Sequence, residues 1–194
     1  MMSNENEKKA KFDEINSIVG DYKYGFVTET KNVIDTGKGL SLDVVKKISM
    51  LKGEPEWMRD FRIKAYEKFV SFPQPSFGPS LDFIDFNEYT YYIKSTNAVE
   101  NDWNDVPEEI KDTFDKLGIP EAERKYLAGV STQFESEVVY HNNLKELEEK
   151  GVIFCDTDTA VKKYPEIVKE YFGKVIPYTD NKYAALNSAV WSGG

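Results

Sequence analysis

A stripe of apolar side chains at four-residue spacing runs from Trp57 to Phe69 and indicates a helix with one face against a core. The stripe begins directly after Glu54-Pro55-Glu56. Proline fits the first turn of a helix, and acidic side chains are favourable near its positive amino-terminal end. We therefore predict a helix that starts here and ends before Pro73. The residues predicted to face the core are Trp57, Phe61, Ala65 and Phe69, with Trp57 and Phe61 as its anchors.

Glycine and proline residues divide the rest of the sequence into short periodic segments. Helices are expected at seven further places. One follows Ser41, with Val44, Val45 and Ile48 facing inward, and another follows a capping box of Asp105 and Glu108, with Ile110, Phe114 and Leu117 in the helix. The other five are expected after Pro120, around Leu144 and Leu147 up to Gly151, after Thr157 or Asp158, after Pro165, and after Asp180. Strands are expected at Tyr22–Thr28, Tyr89–Ile93, Val130–Tyr140 and Val152–Phe154. The sequence therefore predicts an α+β fold, mainly helical with a few short strands. We divide it into a disordered or weakly helical tail (1–20), a helical region (21–98) and an α+β region (99–194).

The charge of the chain argues against nucleic acid as its main partner. The formal net charge is −9, whereas phosphate binding needs a basic stripe. Much of the excess lies in Glu100–Lys125, which holds nine acidic and four basic residues. This segment is either a solvated acidic face or a docking patch for a basic partner.

The sequence also limits the cellular compartment. No apolar run approaches the roughly 20 residues that a membrane-spanning helix needs, and Met1–Lys11 lacks the apolar stretch of a signal peptide. Cys155 is the single cysteine, so no disulfide forms within the chain. We expect a cytoplasmic protein that does not enter a membrane.

Few residues offer chemistry. His141 is the only histidine, so a Ser-His-Asp or Cys-His arrangement must use it, but a histidine in such a position at a strand end is most often an ordinary surface or hydrogen-bonded residue. Cys155 reads as a half-buried core residue, because Asp156 and Asp158 raise the pKa of a neighbouring thiol. Glu135 and Glu137 share a strand face if that segment is one strand. One cysteine and one histidine cannot close a zinc site or hold an iron–sulfur cluster alone, and no catalytic, cofactor-binding or metal-binding residue is assigned.

Six stretches of the sequence, in order along the chain, resemble the SufB family of iron–sulfur cluster assembly scaffolds. They are Tyr22–Thr28 (YKYGFVT), Lys52–Met58 (KGEPEWM), Trp103–Glu123 (WNDVPEEIKDTFDKLGIPEAE), Gln133–Tyr140 (QFESEVVY), Gly151–Ala160 (GVIFCDTDTA) and Asp180–Gly194 (DNKYAALNSAVWSGG). The related SufD subunit is a weaker fit, because it lacks most of the earlier stretches.

The resemblance implies a scaffold that works in a complex with SufD and the ATPase SufC and receives sulfur from a cysteine desulfurase system. It also implies that the chain is the amino-terminal portion of a longer protein. A right-handed parallel β-helix would follow Gly194 and carry the cluster chemistry. The fragment itself is then expected to be non-catalytic and without a cofactor. Two other readings stay open: a stand-alone interaction module, and a small hydrolase or transferase that uses His141 or a carboxylate pair.

The carboxyl end carries a group of apolar residues that the family's β-helix would cover. It comprises Ala184, Leu186, Ala189, Val190 and Trp191. In the 194-residue chain we therefore expect residues 180–194 to be exposed and to favour self-association.

Overall fold

A computed structural model describes residues 32–96, 102–119, 129–143 and 145–194. The described residues form a mainly helical α+β fold, as the sequence predicts. The helices are α1 (Leu42–Lys52), α2 (Glu56–Ser71), α3 (Glu108–Lys116), α4 (Lys145–Glu149), α5 (Thr157–Lys163), α6 (Pro165–Tyr171) and α7 (Lys182–Val190). The strands are β1 (Ile34–Asp35), β2 (Ile93–Lys94), β3 (Gly129–Phe134) and β4 (Glu137–Asn143), paired antiparallel as β1–β2 and β3–β4. The predicted tail, the Tyr22–Thr28 strand, the helix after Pro120 and Leu144 lie outside the described residues.

Helices α2 and α7 form the centre of the molecule, and each supplies a cation to the end of the other. Arg62 of α2 donates to the carbonyl oxygens of Ala189 (3.1 Å) and Trp191 (2.9 Å), where α7 ends. Lys182 at the start of α7 donates to the carbonyls of Phe69 (2.9 Å) and Phe72 (2.8 Å), where α2 ends. The two helices therefore run antiparallel, and these bonds satisfy carbonyls that a helix leaves without partners at its carboxyl end.

Helix α1 confirms its predicted cap and inward face. The Ser41 side chain accepts a hydrogen bond from the Val44 amide (3.3 Å), and Gly53 ends the helix with φ +59°. Val45 and Ile48 are buried, and Val45 packs with Ala65 and Ala189 in a core shared with α2 and α7.

The predicted core face of α2 is half correct, and neither of its two predicted anchors is fully buried. Ala65 and Phe69 are buried, whereas Trp57 and Phe61 are half-buried at the side of the helix. The fully buried positions in this half are Met58 and Arg62. Residues spaced by four drift about 40° around a helix at each step, so a stripe that faces the core at Phe69 has turned aside at Trp57.

The segment predicted as one strand, Val130–Tyr140, is a hairpin. Strands β3 and β4 meet at a turn in which Glu135 has a φ of +54°. The register shifts between Thr132 and Gln133, which is the mark of a β-bulge. The bulge lets the consecutive residues Val139 and Tyr140 join one cluster with Trp103 and Ile110, so simple alternation fails here.

Two other strand predictions also need correction. Val152–Phe154 is exposed and forms no strand: the three side chains are 46%, 51% and 39% exposed. No other strand of the described residues lies beside it to pair with. Of the Tyr89–Ile93 strand, only Ile93 lies in β2, with Thr90 forming a single bridge to Lys38.

Three helix starts differ from their predicted caps. Pro107, with extended backbone angles, precedes α3, so Asp105 lies in a short 3-10 turn and forms no capping box with Glu108. Proline disfavours helical angles in the residue before it, which moves the helix start beyond Asp105. Asp156 caps α5 and Asn181 caps α7, one residue from the predicted positions. The predicted ends at Gly118 and Gly151 are correct, with φ values of +72° and +81°.

The prediction of an exposed carboxyl end is wrong for its apolar residues. Of the predicted set, Ala189 is fully buried and Trp191 is 8% exposed, while Ala184, Leu186 and Val190 are half-buried. Helix α7 packs against α2, which supplies from within the chain the cover that we expected from another copy or from later residues. Among the described residues, no helix is both long and apolar enough to cross a membrane.

Candidate functional site

The most unusual local chemistry is a group of charges inside the fold. Lys52, the last residue of α1, has a side chain only 1% exposed. Its ammonium group lies 3.0 Å from Glu137 Oε1 of β4 and 2.7 Å from Asp158 Oδ2 of α5. A buried ammonium requires such partners, because an unpaired charge is strongly disfavoured away from water.

A second buried pair joins Arg62 of α2 to Glu54, which lies in the turn before this helix. The side chains of Arg62 and Glu54 are 0% and 1% exposed. Arg62 Nη2 lies 2.6 Å from Glu54 Oε1, and Arg62 Nε lies 2.8 Å from Glu54 Oε2, which is the two-pronged geometry that guanidinium and carboxylate groups favour. The remaining guanidinium donors bind the carbonyls at the end of α7, so this one side chain connects α2, the turn before it and α7.

Trp191 lies against both cations. The Arg62 guanidinium carbon is 4.4 Å from the centre of the Trp191 ring, and Lys52 Nζ is 5.9 Å from it. The Tyr92 hydroxyl donates to the same Glu137 oxygen that Lys52 contacts. We call this set the buried charge cluster; its members are Lys52, Glu54, Arg62, Tyr92, Glu137, Asp158 and Trp191.

The electrostatics of the buried charge cluster indicate that one carboxylate is poorly compensated. Two cations face three carboxylates. Burial raises the pKa of Asp158 above its usual value, although Lys52 acts in the opposite direction. Burial and the bond to Glu137 raise the pKa of Tyr92, so its phenol keeps its proton. Asp158 Oδ1 and Trp191 Nε1 have no hydrogen-bonding partner among the described residues.

The residues that follow α7 make further contacts with the start of α5 and with the hairpin. Thr157 donates from its amide (2.7 Å) and its hydroxyl (3.1 Å) to the Gly194 carbonyl. Gly193 has a φ of +71°, and a Cβ there would lie 2.3 Å from the Gln133 side chain. Because the end of the Gln133 side chain can move, the backbone angle is the feature that requires glycine at this position. These contacts hold the segment Trp191–Gly194 against α5 and the hairpin.

The two side chains that the sequence singles out lie outside the buried charge cluster. His141 and Cys155 both line an open groove of about 560 Å3. The His141 ring packs on Phe154 with centres 5.1 Å apart, and its Nδ1 has no partner among the described residues. Burial, and then Asp156, raises the pKa of the Cys155 thiol, which favours the unreactive protonated form.

Two expectations about carboxylates are wrong. Glu135 lies in the hairpin turn and Glu137 lies in the buried charge cluster, so they are not a pair on one face. Asp158 pairs with Lys52 and does not contribute to the raised pKa of Cys155. Within the described residues, no three His, Cys, Asp or Glu side chains are arranged to hold a metal ion.

The buried charge cluster was missed at the level of sequence, although a signal was present. Lys52 follows the buried Ile48 by four residues, and Arg62 follows the buried Met58 by four, so both charges occupy core positions of their helices. A charged residue at a core position must have a partner. The pattern therefore predicts that both charged side chains are paired inside the fold, but it does not identify the residues that pair with them.

Comparison with known proteins identifies the class of this chain. No family model matches it. It is 58% identical over 176 residues to iron–sulfur cluster assembly SufBD family proteins of Staphylococcus haemolyticus and Staphylococcus epidermidis, and 57% identical to one of Staphylococcus aureus. Each alignment covers 91% of this chain and 38% of the relative.

Over the 91% that aligns, the chain is therefore similar to SufBD family proteins. It spans less than half the length of these relatives. The resemblance seen in the six short stretches is confirmed at the level of the family. Four of those stretches meet in the buried charge cluster: Lys52–Met58 supplies Lys52 and Glu54, Gln133–Tyr140 supplies Glu137, Gly151–Ala160 supplies Asp158, and Asp180–Gly194 supplies Trp191.

Proposed function

We propose that this chain contributes to iron–sulfur cluster assembly as a non-catalytic part of a SufB-type scaffold. The observation that carries the proposal is the identity of 57–58% over 91% of the chain to proteins named for this process. The role of the chain in the scaffold is positional: it forms a folded unit that holds Trp191–Gly194 in one conformation.

The partners follow from the family resemblance. We propose that the complete protein acts in the cytoplasm with a SufD subunit and the ATPase SufC, and that a cysteine desulfurase system supplies the sulfur. The cluster is cargo that the complex assembles. The described part of this chain contributes structure, because its buried cations Lys52 and Arg62 both pair with carboxylates within the fold.

Two other functions receive less support. A hydrolase or transferase based on His141 needs a nucleophile and an orienting acid, whereas the described contact of this ring is with Phe154. A stand-alone interaction module is compatible with the fold, but it leaves the identity to SufBD proteins without a reason.

Co-purification tests the proposal. The open reading frame that encodes this chain is expressed anaerobically with SufC and SufD proteins of the same organism, with the tag on SufC. We expect the three proteins to elute together from affinity and size-exclusion columns, and the complex to gain iron and sulfide when a cysteine desulfurase and cysteine are added. Elution of this protein apart from SufC and SufD would contradict the proposal.

A further inference from the structure

A groove beside the half-buried aromatic residues of α2 has the properties of a binding surface. It lies between the first half of α2 and the segment from Val168 to Thr179, and its volume is about 520 Å3. We call it the Trp57 groove; its aromatic floor comprises Trp57, Phe61, Phe172 and Tyr178. No member of the buried charge cluster lines it.

The floor of the Trp57 groove is rigid. Phe61 makes edge-to-face contacts with Phe172 (5.5 Å between ring centres, 67°) and with Tyr178 (5.4 Å, 83°). Gly173 has a φ of +68°, and a Cβ at this position would lie 3.0 Å from the Phe61 ring. The close approach therefore depends on glycine, and the aromatic surface is formed before any partner arrives.

The edge of the Trp57 groove carries further apolar surface. Val175 is 94% exposed and Ile176 is 65% exposed. Both lie between Lys174 and Pro177, which line the groove. Scattered apolar residues on a surface need no explanation, but contiguous ones beside a preformed aromatic floor are typical of binding sites.

The charge of the Trp57 groove is opposite to that of the whole chain. Lys64, Lys169 and Lys174 line it with Asp60 as the single acid, whereas the chain has a net charge of −9. Lys169 lies 5.6 Å from the centre of the Trp57 ring and also pairs with Glu166 at 3.3 Å. Lys64 and Lys174 are exposed. Positive charge around an aromatic floor selects an occupant that combines acidic groups with an apolar side chain.

We propose that the Trp57 groove binds an acidic segment of a partner protein, with an aromatic or aliphatic side chain of that segment against the Phe61 and Trp57 rings. The open shape suits an extended peptide, and its volume is that of a site for one or two large side chains. The inference depends on the groove alone and goes beyond the proposed role in cluster assembly.

Fluorescence anisotropy tests the proposal on the 194-residue chain. The probe is a short fluorescein-labelled peptide in which aspartates flank one Phe and one Leu, compared with the same peptide carrying lysines in place of the aspartates. We expect saturable binding of the acidic peptide alone. The double variant Lys64→Glu/Lys174→Glu should weaken it roughly tenfold, since each exposed charge pair contributes modestly.

The matched control is Lys46→Glu/Lys47→Glu, which makes the same change in net charge on exposed residues of α1, outside the Trp57 groove. This variant should bind nearly as well as the parent chain. Equal weakening by both variants would show only long-range attraction and overturn the proposal, as would the absence of saturable binding. Circular dichroism establishes that both variants fold.

A second measurement places the peptide in the groove. Trp57→Phe keeps an aromatic floor, and peptide binding should shift the tryptophan emission of the parent chain but not that of this variant. A shift that persists in Trp57→Phe would place the peptide elsewhere and overturn the proposal. Sedimentation detects the alternative occupant, a second copy: a mass that rises with concentration, together with failure of the peptide to bind, also overturns it.

Discussion

At the scale of single residues, Arg62 has the largest part in joining the described fold. Its side chain is fully buried and bonds Glu54 and two carbonyls at the end of α7. Arg62→Met keeps most of the volume but leaves the Glu54 charge buried without its partner. We predict a loss of about 3–5 kcal/mol in the free energy of unfolding, as for other broken buried pairs, measured by urea denaturation.

Arg59 on the same helix provides the control. It pairs with Glu56 at 3.3 Å, and both side chains are well exposed, at 47% and 81%. Arg59→Met should therefore cost less than about 1 kcal/mol. Adding Glu54→Gln to Arg62→Met removes the unpaired charge and should restore part of the stability. Equal effects of the two single substitutions would contradict the assignment of Arg62 to a buried pair.

Asp158 gives the buried charge cluster a dependence on pH. Its folded-state pKa is raised, so the folded protein prefers the protonated acid. The stability that this preference contributes is fully present below the unfolded-state pKa of about 3.9. It is lost as pH rises through the higher folded-state pKa.

Asp158→Asn imitates the protonated form at every pH and isolates this contribution. Relative to the variant, the parent chain should gain stability as the pH falls from about 7 towards about 4, within the window that the raised pKa defines. Urea denaturation of both proteins at several pH values measures the difference. A parent chain that instead loses stability relative to Asp158→Asn over this range would show that Lys52 outweighs burial.

At the scale of elements, the hairpin turn contains a strained residue. Glu135 has a φ of +54°, in the left-handed region that costs a side-chain-bearing residue about 1–2 kcal/mol. Glu135→Gly should raise the free energy of unfolding by roughly 1 kcal/mol through relief of this cost. Glu135→Ala removes the same side chain but keeps the Cβ, so it should bring no such gain. Thermal and urea denaturation compare the two variants, and equal stabilities would contradict the strained turn.

The elements could be predicted from the sequence where a local signal is strong. Ser41 and the periodicity of Val45 and Ile48 predict the start and the inward face of α1, which the structure extends to Lys52. The turn at Glu135 could not be predicted, because no glycine, asparagine or proline marks it. The apolar composition of Val152–Phe154 favours a strand. Whether such a segment pairs and is buried depends on which elements pack beside it, and the local sequence pattern does not determine that.

The candidate site was less predictable than the fold for a related physical reason. Lys52 and Arg62 occupy core positions that local periodicity reveals, but Asp158 lies 106 residues from Lys52 in sequence. Two residues this far apart in the sequence form a pair only after the chain has folded, so the spacing of residues along the sequence cannot predict the pair. Four of the six stretches that carry the family resemblance contribute a side chain to the buried charge cluster, and the sequence alone does not show that they meet.

At the scale of the whole molecule, the count of ligands predicts that the isolated chain holds no iron–sulfur cluster. It contains one cysteine and one histidine, whereas such clusters are typically held by four protein ligands. Anaerobic reconstitution with iron and sulfide, followed by visible absorption and iron analysis, measures this. One cluster for each chain, lost in Cys155→Ser, would contradict the prediction.

The central claim is that the chain itself buries the inner face of α7 and Trp191, by packing on α2 and through the buried charge cluster. Hydrogen exchange of the amides of residues 185–191, measured by mass spectrometry at low and high protein concentration, tests it most directly. We predict slow exchange that is the same at both concentrations, and faster exchange in Arg62→Met but not in Arg59→Met. Fast exchange in the dilute chain, with protection that appears only as concentration rises, would contradict the account.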